Sequence, residues 1–354
     1  MKVLHIISSL ETGGAQKLLS ELLPELKVLD VDVELVVFRK TGSRFEKQME
    51  NAGIPLHSLG IESNYSPAIP TRLRPYMKSA DIVHAHLFPV LYETVLANIG
   101  IGRPIIYTEH STSNNRRTKP YFRPVEKWMY GRLAKVIAIS RQTKDALDRW
   151  LDYGDGDSEK VVVVNNGISL VPVEAPSRVL PEKTVLMVSR FTEAKDHATV
   201  LRAMKHIATP GVTLAFAGTG ATMDSCRRLA LELGIQNQVL FLGDRDDAQA
   251  LMAQASIGVQ SSHWEGFGLT AVEFMAAGTP VVASDVEGLR QVVEGAGIVF
   301  PQGDYAALAR TIDLLFTDSE LYSSCVYGGK SRAGEYSIKN TARTYSELYE
   351  RILK

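Results

Sequence analysis

Short, β-branched, almost continuously apolar runs alternate along the whole chain with stretches of helical period. In the first half the runs fall at residues 3–8, 33–38, 81–86, 105–108, 136–140 and 161–164. Strands this apolar on both faces belong in a parallel sheet covered by helices on each side. Helical patterns lie between them, as at 15–29 and 142–151, where Ala146, Leu147, Trp150 and Leu151 recur at helical spacing. The rhythm pauses over 169–183, where Pro172, Pro176 and Pro181 break any period, and then restarts. Strand-like runs at 185–189, 212–217, 239–242, 257–260, 281–284 and 298–300 alternate with helical patterns at 197–207, 222–233, 269–277 and 305–316. The pattern predicts an α/β protein of two Rossmann-like, doubly wound parallel-sheet domains, residues 1–170 and 171–336. A closing helical pattern at 339–353 falls within a last segment, 337–354. Ligands of such sheets bind beyond the carboxyl ends of the strands, and two such ends facing each other predict one interdomain cleft.

Bulk properties narrow the function. A length of 354 residues supplies two cores, and 45% hydrophobic with 22% charged residues is ordinary for a globular protein. A formal net charge of -1 provides no field for nucleic acid. Two distant cysteines, Cys226 and Cys325, form neither a disulfide framework nor a CxxC metal motif, so a cytoplasmic setting is expected. The apolar run near Met1 meets Glu11 at once and reads as a first strand rather than a secretory segment. No run approaches ~18 apolar residues, so membrane association is expected to be peripheral.

Three motifs carry chemistry. Glu265-Gly266-Phe267-Gly268-Leu269 follows the run at 257–260 and opens a helical pattern containing Glu273, which Gly278-Thr279-Pro280 stops. Backbone N–H groups at such a helix start favour phosphate or sugar oxygens, and two staggered carboxylates can grip two parts of one ligand. Ser189-Arg190-Phe191-Thr192-Glu193-Ala194-Lys195 starts at a strand end and sets two cations, Arg190 and Lys195, where a diphosphate leaving group needs its charge neutralised. Gly13-Gly14 after the first strand lets backbone approach a ligand closely. Neither that turn nor Gly218-Thr219-Gly220-Ala221-Thr222-Met223 is a dinucleotide fingerprint, which argues against a dehydrogenase.

The combination resembles glycosyltransferase family 4, of the GT-B fold. Glu265 and Glu273 in an E-x7-E spacing, the Arg190/Lys195 pair, Gly13-Gly14, Thr108-Glu109-His110 and Asn166-Gly167-Ile168 stand in that family's order across nearly the whole chain. The resemblance implies a retaining transfer from a nucleotide diphosphate sugar but does not identify the base; a UDP-sugar is expected ahead of a GDP-sugar. It implies that Arg190 and Lys195 hold the diphosphate and that Glu273 binds the ribose hydroxyls. Glu265, Gly266, Phe267, Gly268 and Leu269 would meet the transferred sugar and phosphate, and His110 would sit by the reacting carbon. Gly13 and Gly14 would approach the phosphate, and the base would lie near Gly218, Gly220, Leu242 and Arg245. The last helix would cross back onto the first domain.

No cofactor or metal is expected, because Arg190 and Lys195 already bring the positive charge. Asp244-Arg245-Asp246-Asp247 reads as an N-cap and acidic first turn, and Asp155-Gly156-Asp157 lies before a strand, the wrong end for a site. His84 and His86 either line the cleft or pack in the core, and a metal role lacks a further ligand. The acceptor, a saccharide or a lipid-linked one in envelope polysaccharide or glycolipid synthesis, is expected on the first domain. The basic and aromatic stretch 116–130, with Arg72, Arg74, Tyr76, Met77 and Lys78, suits docking on an anionic membrane surface at its inner face. The competing reading is a partly buried helix with Trp128 and Tyr130 in the core. The rival functions are a non-catalytic nucleotide-sugar-binding subunit and a sugar-nucleotide epimerase.

Overall fold

The structure, a computed structural model, describes residues 1–11, 13–111, 116–153, 159–170 and 177–354. Asp155 and Asp157, Pro172 and Pro176 lie outside the described residues. The chain forms two compact units, Met1–Ser169 with Ser337–Lys354, and Leu170–Tyr336.

The first unit holds seven strands: β1 (Lys2–Ile7), β2 (Asp32–Val37), β3 (Leu56–Ser58), β4 (Ile82–His86), β5 (Ile105–Glu109), β6 (Lys135–Ala138) and β7 (Val161–Val163). They form one parallel sheet in the order β3-β2-β1-β4-β5-β6-β7. Successive side chains of β1 feed two cores, as period two requires. Leu4 and Ile6 join Val36 and Val83 on one face, while Val3 and Ile7 join Leu35 and Ile82 on the other. Residues buried on both faces explain the near-continuous apolar runs.

That second face is closed by the final helix, Ile338–Leu353, through Ile338, Ala342, Tyr345, Leu348 and Tyr349, a helical spacing of three and four. The helix is pinned at its start, where the Ile338 amide donates to the Ile168 carbonyl at 2.8 Å. Gly167 permits this approach. A Cβ there would stand 2.7 Å from Ile338 Cα and 2.5 Å from Thr341 Oγ1. Gly167→Ala is therefore expected to destabilise by about 1–3 kcal/mol, the usual cost of overpacking, read as a lowered Tm of the full chain. An unchanged Tm would show that the helix does not need this contact.

The second unit holds β8 (Thr184–Val188), β9 (Thr213–Ala217), β10 (Val239–Gly243), β11 (Ile257–Gln260), β12 (Val281–Ser284) and β13 (Ile298–Phe300). Their order is β10-β9-β8-β11-β12-β13, again all parallel. Each sheet thus reverses its strand order once, between β1 and β4 and between β8 and β11. Crevices at such reversals are where ligands of doubly wound sheets bind.

Several elements escape the sequence pattern. Strand β3 is three residues long and none of them is fully buried. Helix Ser319–Glu335 carries Gly328, Gly329 and Lys330 where a helical apolar stripe would continue. Gly329 is there for packing, since a Cβ would lie 3.1 Å from Met275 Cγ on the neighbouring helix Leu269–Ala276. Among the described residues no helix is long and apolar enough to cross a membrane.

Candidate active site

In the second unit the predicted motifs gather at the reversal between β8 and β11. Beyond β11, Ser261 and Ser262 are buried, and the Ser284 hydroxyl accepts from the Ser262 amide at 2.8 Å. The chain then turns into helix Leu269–Ala276 through Gly268, whose φ of 93° favours glycine. The turn is held from below. A Cβ on Gly268 would stand 2.8 Å from Leu289 Cδ2, and one on Gly288 only 2.2 Å from the Glu265 carbonyl oxygen. Phe267 is buried, edge-on to Tyr336 at 5.2 Å. Gly278, with φ 80°, ends the helix by donating to the Met275 carbonyl at 3.0 Å.

Lys195 and Glu265 meet across the reversal in a direct ion pair. The other Glu265 oxygen accepts from the Gly266 amide at 3.1 Å. Glu273 sits buried within the helix. Arg190, at the end of β8, is exposed, and its guanidinium makes no hydrogen bond or ion pair among the described residues. The two cations therefore differ: Arg190 brings free charge, and Lys195 is already matched by a carboxylate.

Gly218 and Gly220 stitch the ends of β8, β9 and β10 together. A Cβ at Gly218 would lie 2.0 Å from the Ser189 carbonyl oxygen, and one at Gly220 2.3 Å from that of Phe191. The Phe191 amide donates to the Thr219 carbonyl at 2.9 Å and the Gly218 amide to the Gly243 carbonyl at 2.7 Å. Close backbone approach thus requires these glycines before any ligand is considered, and it sets Leu242 and Arg245 on the same sheet edge as Arg190. Arg245 grips Asp247 with two bonds of 2.7 and 2.6 Å. This corrects one expectation. Asp247 precedes helix Ala248–Gln254 but makes no capping bond, because the guanidinium takes its carboxylate and holds its pKa below the ordinary value. Sequence reading also passed over Asp196, which caps helix His197–Met204 from a left-handed φ of 35° and faces His263 at 3.7 Å. Both line a cavity of about 410 Å³ with Trp264 and Cys226.

In the first unit, Gly13 leads into helix Gly14–Val28, and nothing among the described residues lies within 4 Å of where a Cβ on Gly14 would stand. A Cβ on Gly13, by contrast, would stand 2.4 Å from Gln16 Oε1. His110 follows β5 half-buried, and its pKa is pushed down by burial to about 4, so it is neutral. His84 and His86 do not reach solvent; both are fully buried at the end of β4. His5, which pairs with His84 in the sheet register, joins them. His5, inside an apolar strand, gives no sequence signal, and only the pairing of β1 with β4 brings the three together.

The basic stretch 116–130 is largely self-neutralised. Arg117 pairs with Glu109 at 2.5 Å and Arg116 with buried Glu126 at 2.6 Å, while Arg123 and Lys127 both pair with Asp152. Arg72 and Arg74 donate to the carbonyls of Leu59, Ala97 and Ile99. Tyr130 is buried and Trp128 is 43% exposed, so the two aromatics part company. What faces solvent there is mixed: Tyr121, Val125 and Trp128 are exposed beside Lys119 and Lys127.

Comparison with known proteins gives the family. Residues 12–171 match the family model Glycosyltransferase Family 4, and residues 174–332 match Glycosyl transferases group 1. The chain belongs to glycosyltransferase family 4. This glycosyltransferase is 26% identical to a phosphatidyl-myo-inositol mannosyltransferase of Mycobacterium leprae, over 96% of the chain and 93% of that protein. It is 28% identical to a glycogen synthase of Mycobacterium tuberculosis, over 85% of the chain and 73% of that protein. Its fold is GT-B. The crystal structure of Anabaena HepE in complex with UDP and glucose superposes with a TM-score of 0.86 at 22% identity, covering 99% of this chain and 100% of that one.

Proposed function

We propose that this family 4 enzyme moves a sugar, with retention at the anomeric carbon and without a metal ion, from a nucleoside diphosphate sugar to a saccharide or lipid-linked acceptor. The observation that carries the reading is the Lys195–Glu265 pair at the strand-order reversal, beside the unpaired Arg190 guanidinium and the helix start at Gly268. A departing diphosphate gains negative charge as the bond from the anomeric carbon to the phosphate oxygen breaks. Arg190 and Lys195 neutralise it, and the backbone amides at Phe267, Gly268 and Leu269 bind its oxygens. Glu273 takes the ribose hydroxyls, and Glu265, steadied by Lys195, takes hydroxyls of the sugar. The base lies by Gly218, Gly220, Leu242 and Arg245. In the first unit Gly13 and Gly14 serve the phosphate and His110 the sugar.

The acceptor oxygen forms its bond to the anomeric carbon on the face the diphosphate leaves, and its proton passes to the departing phosphate oxygen. UDP is the favoured nucleotide, supported by the UDP complex of HepE. A lipid or glycan acceptor is supported by the mannosyltransferase and glycogen synthase relatives, and envelope synthesis is the setting we propose for it. Contact with a membrane would run through Tyr121, Val125 and Trp128 rather than through the paired cations. Such a protein works in the cytoplasm at the inner membrane face.

The test is a panel of UDP- and GDP-sugars assayed for hydrolysis and transfer in excess EDTA, with product anomers read by NMR. Turnover in EDTA, best with a UDP-sugar and giving an α-product from an α-donor, is expected. Activity that needs added magnesium or manganese, or an inverted product, would overturn the reading. His110→Ala is expected to lose about 10²-fold in kcat, the usual scale for a lost positioned group.

A further inference from the structure

Seven side chains of the first unit form one unbroken hydrogen-bonded array. His110 Nε2 lies 3.4 Å from His86 Nδ1, and His86 Nε2 lies 3.0 Å from His5 Nδ1. His5 Nε2 lies 3.4 Å from the Tyr349 hydroxyl, which lies 2.7 Å from His84 Nδ1. His84 Nε2 meets the Thr108 hydroxyl at 2.7 Å, and that hydroxyl meets Tyr345 at 3.4 Å. All but His110 are fully buried. Every ring is threaded in the same sense, with Nδ1 toward the His110 end and Nε2 toward the Tyr345 end.

Burial keeps the four rings neutral: His5 and His110 titrate at about 3 and about 4, and His84 and His86 well below their ordinary value. A neutral imidazole has one N–H and one lone pair. If one ring carries its proton on Nε2, its neighbour must accept at Nδ1 and carry its own proton on Nε2. Tyr349, donating on one side and accepting on the other, relays the rule to His84. Only two arrangements satisfy every bond: all four rings protonated on Nε2, or all four on Nδ1. Any mixture turns two N–H groups or two lone pairs against each other, or leaves the Tyr349 proton without an acceptor, in a fully buried core.

At the outer end, His110 Nδ1 has no partner among the described residues. In the first arrangement it shows a lone pair, and in the second a proton. We propose that His86, His5, Tyr349 and His84 are positioning residues that bind His110 to one shared tautomer, so that the buried array decides which of the two His110 offers its ligand. The functional half of this inference rests on the reading that His110 faces the donor.

The same imidazoles, His5, His84 and His86, hold ring nitrogens within 4.8 Å of one another, a grouping that invites a metal ion. Their bonding decides against it. The three rings stack pairwise, with interplanar angles of 28°, 12° and 21°. All six of their ring nitrogens, moreover, are already engaged by one another, by His110, by Tyr349 and by Thr108, so an ion would have to break the array to find its ligands.

The experiment is a two-bond nitrogen–proton correlation spectrum of the full chain labelled with nitrogen-15 histidine, which separates the two neutral tautomers and the cation. At pH 7, His5, His84, His86 and His110 are all expected in one tautomer. Tyr349→Phe leaves His5 Nε2 facing nothing. Buried N–H groups are orphaned more rarely than acceptors, so His5, His86 and His110 should then all appear protonated on Nδ1. Mixed tautomers in the unaltered protein, a cation among the four at pH 7, or stoichiometric zinc binding that displaces their protons would overturn the proposal. The unaltered protein decides the matter even if Tyr349→Phe does not fold. Full turnover of His110→Ala, by contrast, would sink the donor-facing assignment and the functional half with it, while the shared tautomer stood.

Discussion

Arg190→Ala will lower kcat/KM about 10²-fold or more, on the scale of other lost transition-state charge stabilisers, and Lys195→Ala will lower it further. The order follows from the pairing. Removing Arg190 deletes a free cation and leaves nothing behind, since its guanidinium has no partner among the described residues. Removing Lys195 also strips Glu265 of its counter-charge. A bare carboxylate, held in place by the Gly266 amide and the packed turn above Gly288, then opposes the incoming diphosphate as well as failing to help it. Truncating one partner of a charge pair costs more than the pair is worth for this reason. Adding Glu265→Gln to Lys195→Ala should recover part of the loss in donor affinity, a coupling that steady-state kinetics of the double-mutant cycle measures. Equal losses for Arg190→Ala and Lys195→Ala, with no coupling to Glu265, would show that the pair acts as two independent contacts.

Why some of this could be read from the sequence and some could not is a matter of range. β11, β12 and β13 have the bounds their apolar runs predict, and β11 and β12, buried along their whole length, tolerate little slippage. The turn into helix Leu269–Ala276 was visible because glycine and proline mark backbone requirements that are local. Which partners a side chain finds is not local. Asp247 looked like a cap, and Arg245, two residues away, takes it. Arg116 and Arg117 looked like a surface charge cluster, and Glu126 and Glu109 absorb them. The histidine array needs β1 beside β4 and the final helix on their shared face, so residues 5, 84, 86 and 349 meet only through topology. The glycines of residues 218 and 220 carry the opposite lesson. Each is fixed by a carbonyl within 2.3 Å of its absent Cβ, so a ligand-binding motif in the sequence is at the same time a packing necessity.

That array also fixes how the protein responds to acid. A histidine whose folded pKa lies below its free value of about 6.5 takes up its proton first in the unfolded chain. Stability therefore begins to fall as pH drops through that value and keeps falling until the folded pKa is reached. For His5 and His110 the window runs down to about 3 and about 4, and for His84 and His86 burial sets it well below the ordinary value. Each such group removes about 1.4 kcal/mol per pH unit inside its window. Four of them acting together remove about 8 kcal/mol between pH 6.5 and pH 5, much of a typical stability of roughly 5–15 kcal/mol. Among the described residues the second unit has one comparable histidine, His197, lowered by burial to about 3. Pulse hydrogen exchange between pH 7.5 and 4.5 should accordingly find β1, β4 and β5 losing protection at a higher pH than β8, β9 and β11. Replacing His84 with glutamine, which carries no titrating proton, should shift the first transition to lower pH, provided the variant folds at pH 7.5. If the two sheets open together, or if β1 and β4 stay protected at pH 4.5, the rings of the first unit are not held neutral by burial.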